Sequence, residues 1–250
     1  MKGDTNRMIK ANDILRAQTA DQDSTEVEAS KAGRVMAAYQ ALRNAIRSNV
    51  FPPGYQAAEN EIARQLGMSR TPVHEAMARL QEDGLVRILP KKGIIIRALS
   101  PADIEEIYEV IIALEGAAAA RIAGFPEPER LTVAEALRQA TQEMDDALKT
   151  NDLQAWAAAD EVFHETLVER SGNSRLRRMA GTVADQLHRA RMFTLNLRPL
   201  PTASSAEHAA IVKAIETGNK DVASDAARIH RNHARDQLLP LIERLNLRNL

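Results

Sequence analysis

A single change of period constrains this chain most. Apolar residues recur every three or four positions from Arg34 to about Asp83 and again from Ser100 onward, but between Leu85 and Arg97 the pattern is that of strands. Leu85-Val86-Arg87-Ile88-Leu89 and Ile94-Ile95-Ile96-Arg97 are β-rich runs, and Pro90-Lys91-Lys92-Gly93 joins them, which predicts a hairpin. The fold class that follows is mainly α. Three helices closed by a hairpin form one domain, residues 31–99, and six helices form an all-helical second domain, residues 100–250, with the boundary at Leu99/Ser100. Residues 1–30 are polar and lack sustained periodicity, which predicts a flexible tail with at most a short helix.

Local signals place the elements. Val35, Tyr39, Leu42 and Ile46 make the stripe of the first helix, and Phe51-Pro52-Pro53-Gly54 stops it, because proline forces an extended residue before it and glycine permits the turn. A short helix, Glu59 to Leu66, is followed by a tight Gly67-Met68-Ser69 break. Ser69 suits an N-cap and Pro72 is tolerated in the first turn of the third helix, whose Val73, Met77 and Leu80 point inward. Ser100-Pro101-Ala102-Asp103 restarts the chain as a helix with a cap, a first-position proline and an early acid. Breaks at Gly124-Phe125-Pro126, Thr150-Asn151-Asp152, Ser171-Gly172-Asn173, Arg198 to Pro201 and Thr217-Gly218-Asn219 then divide the remainder.

Composition excludes several classes of function. The absence of cysteine rules out disulfide scaffolds, thiolate metal centres and a thiol nucleophile. With 3% aromatic residues, stacking platforms for single strands are not expected. No apolar run approaches the roughly 20 residues of a membrane span, and the polar first 20 residues do not resemble a signal peptide, so the expected location is the cytoplasm. The net charge of −1 conceals a split: residues 31–99 carry +6 and residues 100–250 carry −5. A basic domain beside an acidic one suggests that only the first faces a polyanion.

Three helices and a hairpin, with a tight break between helices two and three, predict a winged helix-turn-helix. Its third helix presents Arg70, Thr71, His74 and Arg79 on or near its polar surface, where N-terminal residues reach base edges in the major groove. The hairpin tip offers Lys91 and Lys92 to phosphate or the minor groove, and Gly93 permits close backbone approach. Ser69, Arg70, Thr71, His74, Lys91, Lys92 and Gly93 are therefore the candidate contacts to double-stranded operator DNA. The competing reading of these cations is an ordinary solvated face.

These residues carry a resemblance. Asn49-Val50-Phe51-Pro52-Pro53-Gly54, Glu59 to Gly67, Ser69-Arg70-Thr71-Pro72-Val73-His74-Glu75-Ala76, Gly84-Leu85-Val86 and Lys92-Gly93 resemble the DNA-binding domain of GntR-family bacterial transcription regulators over about residues 34–99. The resemblance implies that Arg70 and Thr71 contact DNA. The family usually has arginine where this chain has His74, a shorter group that does not read guanine bidentately. That departure implies either an altered operator preference or a histidine that simply bonds a phosphate.

Six histidines stand at 74, 164, 188, 208, 230 and 233. Asp160 and His164 lie four apart on one predicted helix and share a face, a spacing that suits a metal but also an ion pair. His208 and His230 flank the Gly218-Asn219 turn at similar distances along two antiparallel helices, so they come level; on spacing alone His233 serves as well as His230. Asp160 to His164, Ser171-Gly172-Asn173, Glu207 to Ile215, Gly218-Asn219 and His230 resemble the FCD ligand-binding domain of the FadR-type GntR subfamily. In metal-containing members an acid and three histidines occupy these places, which implies Asp160, His164, His208 and His230 as ligands, with His188 and His233 outside the set. Three imidazoles and a carboxylate suit Zn, Ni, Fe or Mn.

The resemblance implies a homodimeric, ligand-responsive regulator whose small-molecule effector, a carboxylate, binds beside the metal. Relatives commonly carry an effector-pairing arginine where Ile111 stands, so the expected effector is less anionic or is held by the metal and another cation, with Arg191 as the candidate; the alternative is that Ile111 is ordinary core. A metal-dependent enzyme with a DNA-binding appendage is the other class considered, since such a metal can activate water. Glu161 and Glu165, the nearest acids, fall on other helix faces, so no general base adjoins the ligands. A third reading is a metal-stabilised helical interaction module.

Overall fold

The computed structural model describes residues 31–244, and the expected N-terminal tail lies outside the described residues. The described chain separates into two compact units between Ala98 and Leu99, one residue before the boundary expected from sequence. None of its helices is long and apolar enough to cross a membrane.

The first unit has the element order expected of a winged helix-turn-helix, with one addition. Helix α1 (Lys31–Arg47) buries Val35, Ala38, Leu42 and Ile46, and Tyr39 Oη donates to Asp83 Oδ2 at 2.7 Å, tying α1 to the end of the third helix. The Pro52-Pro53-Gly54 turn leads into a two-residue strand β1 (Gln56–Ala57), which sequence periodicity did not reveal because two residues cannot alternate. Helix α2 (Glu59–Leu66) ends at the left-handed Gly67, and α3 (Arg70–Glu82) follows, sealing Val73, Met77 and Leu80 against α1 and α2. Ser69 stands at the N-cap of α3 but its side chain makes no capping hydrogen bond.

Strands β2 (Val86–Leu89) and β3 (Gly93–Ile96) form the expected hairpin, and β1 adds to the free edge of β3, giving the order β1-β3-β2. Gly93 has φ +91°, and a Cβ there would meet the carbonyl oxygen of Ala57 at 2.0 Å. Approach of β1 therefore requires glycine at this position, in addition to the backbone approach by DNA expected from the sequence.

The second unit is a bundle of six α-helices among the described residues. These are α4 (Pro101–Ala123), α5 (Glu127–Lys149), α6 (Leu153–Arg170), α7 (Ser174–Thr194), α8 (Thr202–Thr217) and α9 (Lys220–Arg244), with a 3₁₀ turn at Leu195–Leu197. Their starts follow from side-chain chemistry. Ser100 and Asp103 form a complete capping box for α4, while Asp152 and Asn173 accept from the first free amides of α6 and α7. The core gathers Ile122, Leu137, Met144, Trp156, Phe163, Leu167, Ile211 and Ile215. Helix α4 runs most extensively along α9. Gly116 permits this, because a Cβ there would lie 2.9 Å from the Arg228 side chain. That close approach brings Glu115 of α4 to Arg231 of α9.

Candidate metal centre and nucleic-acid interface

The interior of the second unit holds four potential ligands from three helices. Asp160 and His164 come from α6, His208 from α8 and His230 from α9; all four are buried, and one ligand atom from each lies within 4.8 Å of the others. The separations describe one focus. His164 Nε2 stands 3.4 Å from His208 Nε2 and 3.2 Å from His230 Nε2, and Asp160 Oδ1 stands 3.7 Å from His164 Nε2 and 3.6 Å from His208 Nε2.

Carboxylates behind two of the rings set which nitrogen faces inward. His164 Nδ1 meets Glu115 Oε2 at 3.0 Å and His230 Nδ1 meets Glu207 Oε2 at 2.9 Å. An ionised carboxylate only accepts, so each Nδ1 carries the proton and each Nε2 presents a lone pair. Glu115 is itself gripped by Arg231, whose Nε donates at 2.7 Å and whose Nη2 donates to the other oxygen. Asp160 Oδ2 is held by Arg191, which leaves Oδ1 toward the histidines.

The electrostatics agree. Burial opposes ionisation of Asp160, but the Arg191 guanidinium holds its carboxyl well below the ordinary range. Glu115 is likewise pulled down, against its burial, by Arg231 and His164. Burial pushes His208 well below the ordinary imidazole range, and burial lowers His230 although its bond to Glu207 opposes this. These imidazoles are thus neutral near pH 7. Inward-facing lone pairs beside an anionic oxygen repel one another and fit a cation. Two nitrogens bound at about 2.1 Å to one tetrahedral ion stand about 3.4 Å apart, matching the separations seen. Nδ1 of His208 is buried and has no hydrogen-bond partner, so Nε2 is the edge that faces polar groups.

A cavity of about 180 Å³ opens beside this focus, lined among others by Trp156, Asp160, Arg191, Arg198, Glu207 and His230 and by the first turn of α8. Of the two residues expected at an effector, Arg191 lines this cavity, already paired with Asp160, whereas Ile111 is buried and is not part of the lining. His233 is half-exposed and shares Glu207 with His230, its Nδ1 at 2.6 Å from Oε1. His188 pairs with Glu161 at 3.2 Å. Sequence reasoning missed Glu115, Glu207 and Arg231; only the position of Glu207 beside His208 hinted at any of them.

In the first unit Ser69, Arg70, Thr71 and His74 are exposed along the start of α3, and Lys91 and Lys92 are exposed at the hairpin tip, Lys91 with φ +62°. Arg70, His74, Lys91, Lys92 and Gly93 line one shallow depression of about 260 Å³. Glu59 of α2, which no sequence signal singled out, bridges two of them: its Oε1 accepts from Arg70 Nε at 3.1 Å and its Oε2 lies 3.0 Å from His74 Nδ1. Burial raises the Glu59 carboxyl, but the bonds to His74 and Arg70 together outweigh it and hold the group below its ordinary value.

Comparison with known proteins agrees with both units. Residues 35–96 match the family described as bacterial regulatory proteins, gntR family, and residues 106–233 match the FCD domain. The chain is 70% identical over 166 residues to an uncharacterised HTH-type transcriptional regulator in the TAR-I ttuE-ttuC' intergenic region of Agrobacterium vitis, covering 64% of this chain and 97% of that protein. It is 30% identical over 207 residues to the HTH-type transcriptional regulator YdhC of Bacillus subtilis, covering 82% of this chain and 91% of that one. Its fold is similar to that of E. coli McbR/YncC, with a TM-score of 0.69 at 17% identity over 85% of this chain and 98% of that structure. The chain therefore belongs to the gntR family of transcriptional regulators, in the group that joins a helix-turn-helix domain to an FCD domain.

Proposed function

We propose that this protein is a cytoplasmic, ligand-responsive regulator that binds operator DNA as a homodimer and senses a small carboxylate beside a divalent metal in its FCD domain. Asp160, His164, His208 and His230 hold the metal, which supplies a fixed positive charge that an acid's carboxylate can meet. The observation that carries this reading is the convergence of three Nε2 atoms and Asp160 Oδ1 on one point at the edge of a cavity. Arg191 keeps Asp160 ionised and aimed, and Glu115 and Glu207 orient the two rings they bond. A bound acid shifts the DNA-binding equilibrium only through different affinity for the two arrangements of the molecule.

At the DNA, Arg70 and Thr71 read bases from the start of α3, His74 contacts base or phosphate, and Ser69, Lys91, Lys92 and the Gly93 backbone engage the phosphate chain. A two-fold dimer presents two such helices to a near-palindromic site. Fluorescence anisotropy on an operator selected from random duplex DNA tests the reading. Arg70→Ala is expected to lower specific affinity by about 1–3 kcal/mol while leaving random-sequence binding much less affected. An equal loss on both DNAs would remove Arg70 from base reading.

A further inference from the structure

Arg70 and His74 stand four apart on α3, so they share a face, and both side chains are exposed. They meet one carboxylate. Glu59, in the first turn of α2 and mostly covered, places Oε1 3.1 Å from Arg70 Nε and Oε2 3.0 Å from His74 Nδ1. The contact to the histidine has a direction. An ionised carboxylate only accepts, so a singly protonated ring carries its proton on Nδ1 and keeps its lone pair on Nε2. Nε2 of His74 makes no hydrogen bond among the described residues. The ring borders the same depression as Lys91 and Lys92, on the surface proposed above to face DNA.

A lone pair limits what His74 can meet. Phosphate oxygens are anionic acceptors and repel it. In the major groove guanine and thymine offer acceptors, whereas cytosine N4 and adenine N6 offer amino hydrogens. Only the amino bases complete a hydrogen bond to Nε2. Each base pair carries one amino group in that groove, on one strand or the other, so an acceptor held in a fixed place reads which strand bears it. Glu59 meanwhile keeps the Nδ1–H from the DNA. The ring meets a base through its other nitrogen and does not have to leave its carboxylate.

We propose that Glu59 fixes His74 as a hydrogen-bond acceptor, and that His74 reads one operator position by the strand that bears the amino group instead of contacting phosphate. The inference rests on the DNA reading of α3 given above and says what its histidine recognises. Glu59 is then a positioning residue for specificity.

Competition anisotropy with the full-length protein, at pH 8 to favour the singly protonated ring, tests it. The probe is the duplex selected from random DNA, with each of the four base pairs placed in turn at each position of the site. His74→Ala marks the position, as the one where its loss of affinity varies with the base pair. There the parent protein should divide the pairs two against two, C·G and A·T against G·C and T·A, with about 3- to 10-fold between the groups. His74→Ala should erase the division. His74→Arg should replace it by a preference for one orientation of the G·C pair, because guanine offers two acceptors to a guanidinium. In Glu59→Gln the amide can donate as well as accept, so the ring can take either tautomer and the division should shrink to less than about 2-fold. A division left intact by Glu59→Gln, a split of A·T from G·C pairs, or a His74→Ala loss equal for every pair, as for a phosphate contact, would overturn the proposal. The DNA reading of α3 stands or falls separately, on Arg70→Ala.

Discussion

The two units contain the same three-part arrangement in opposite surroundings. In the first, Glu59 bridges Arg70 and His74; in the second, Glu115 bridges Arg231 and His164, in each case through Arg Nε and His Nδ1. The distances are similar, but the exposure is not. Side chains of Arg70, His74 and Glu59 are 68%, 62% and 19% exposed, whereas those of Arg231, His164 and Glu115 are 5%, 7% and 2% exposed. Water competes for the first set and screens it, so it contributes about 0–1 kcal/mol and yields easily to a phosphate or a base edge. The second has no solvent to fall back on, so its geometry is fixed and it can hold a ring nitrogen in place for a metal. Burial, rather than residue type, separates a surface free to exchange partners from a site that must keep them.

The largest effect expected from this contrast is on folding. Glu115→Gln leaves Arg231 buried without its counter-charge and should cost about 3–5 kcal/mol, read as a lowered urea midpoint at unchanged slope. It should also weaken metal binding by about 10- to 100-fold, because His164 loses the group that orients it. A loss no greater than that of Glu59→Gln would break the comparison.

Next in size is the electrostatic contribution of the hairpin. Replacing both Lys91 and Lys92 by Ala should reduce the slope of log affinity against log salt by about 2, one phosphate contact for each lysine. An unchanged slope would remove the hairpin tip from the proposed interface and leave α3 alone in it.

The smallest effect is the sharpest on the exposed trio. Glu59→Gln should change stability by less than about 1 kcal/mol, yet it removes an anion that competes with DNA for Arg70 and His74. Affinity for random-sequence duplex should rise a few-fold. A fall would show that Glu59 positions Arg70 rather than competing for it.

Much of the fold could be read from the sequence because its punctuation is local. The Ser100–Asp103 capping box, the caps at Asp152 and Asn173 and the left-handed Gly67 and Gly218 each act within a few residues. Strand β1 escaped notice because its pairing with β3 depends on residues nearly forty positions away, and its close approach to Gly93 went unseen for the same reason. At the metal centre, Asp160 and His164 share a helix face, and counting across the Gly218 turn brings His208 level with His230. Counting left His230 and His233 equivalent. The structure separates them, because three residues of helix turn His233 outward to half-exposure while His230 Nε2 stays 3.2 Å from His164. Glu115 and Arg231 could not be found this way. Their importance comes from packing between helices far apart in the chain, and their own segments carry no mark of it.

The central claim is that the four converging side chains hold one divalent ion. Elemental analysis of protein purified without added metal, compared with His208→Ala prepared identically, tests it most directly. The account predicts about one transition-metal ion per chain in the parent protein and a large loss in the variant, since the replaced ring supplies one of only four donors. Full metal occupancy in a folded His208→Ala protein, or a parent protein that takes up no metal even when it is supplied, would contradict it.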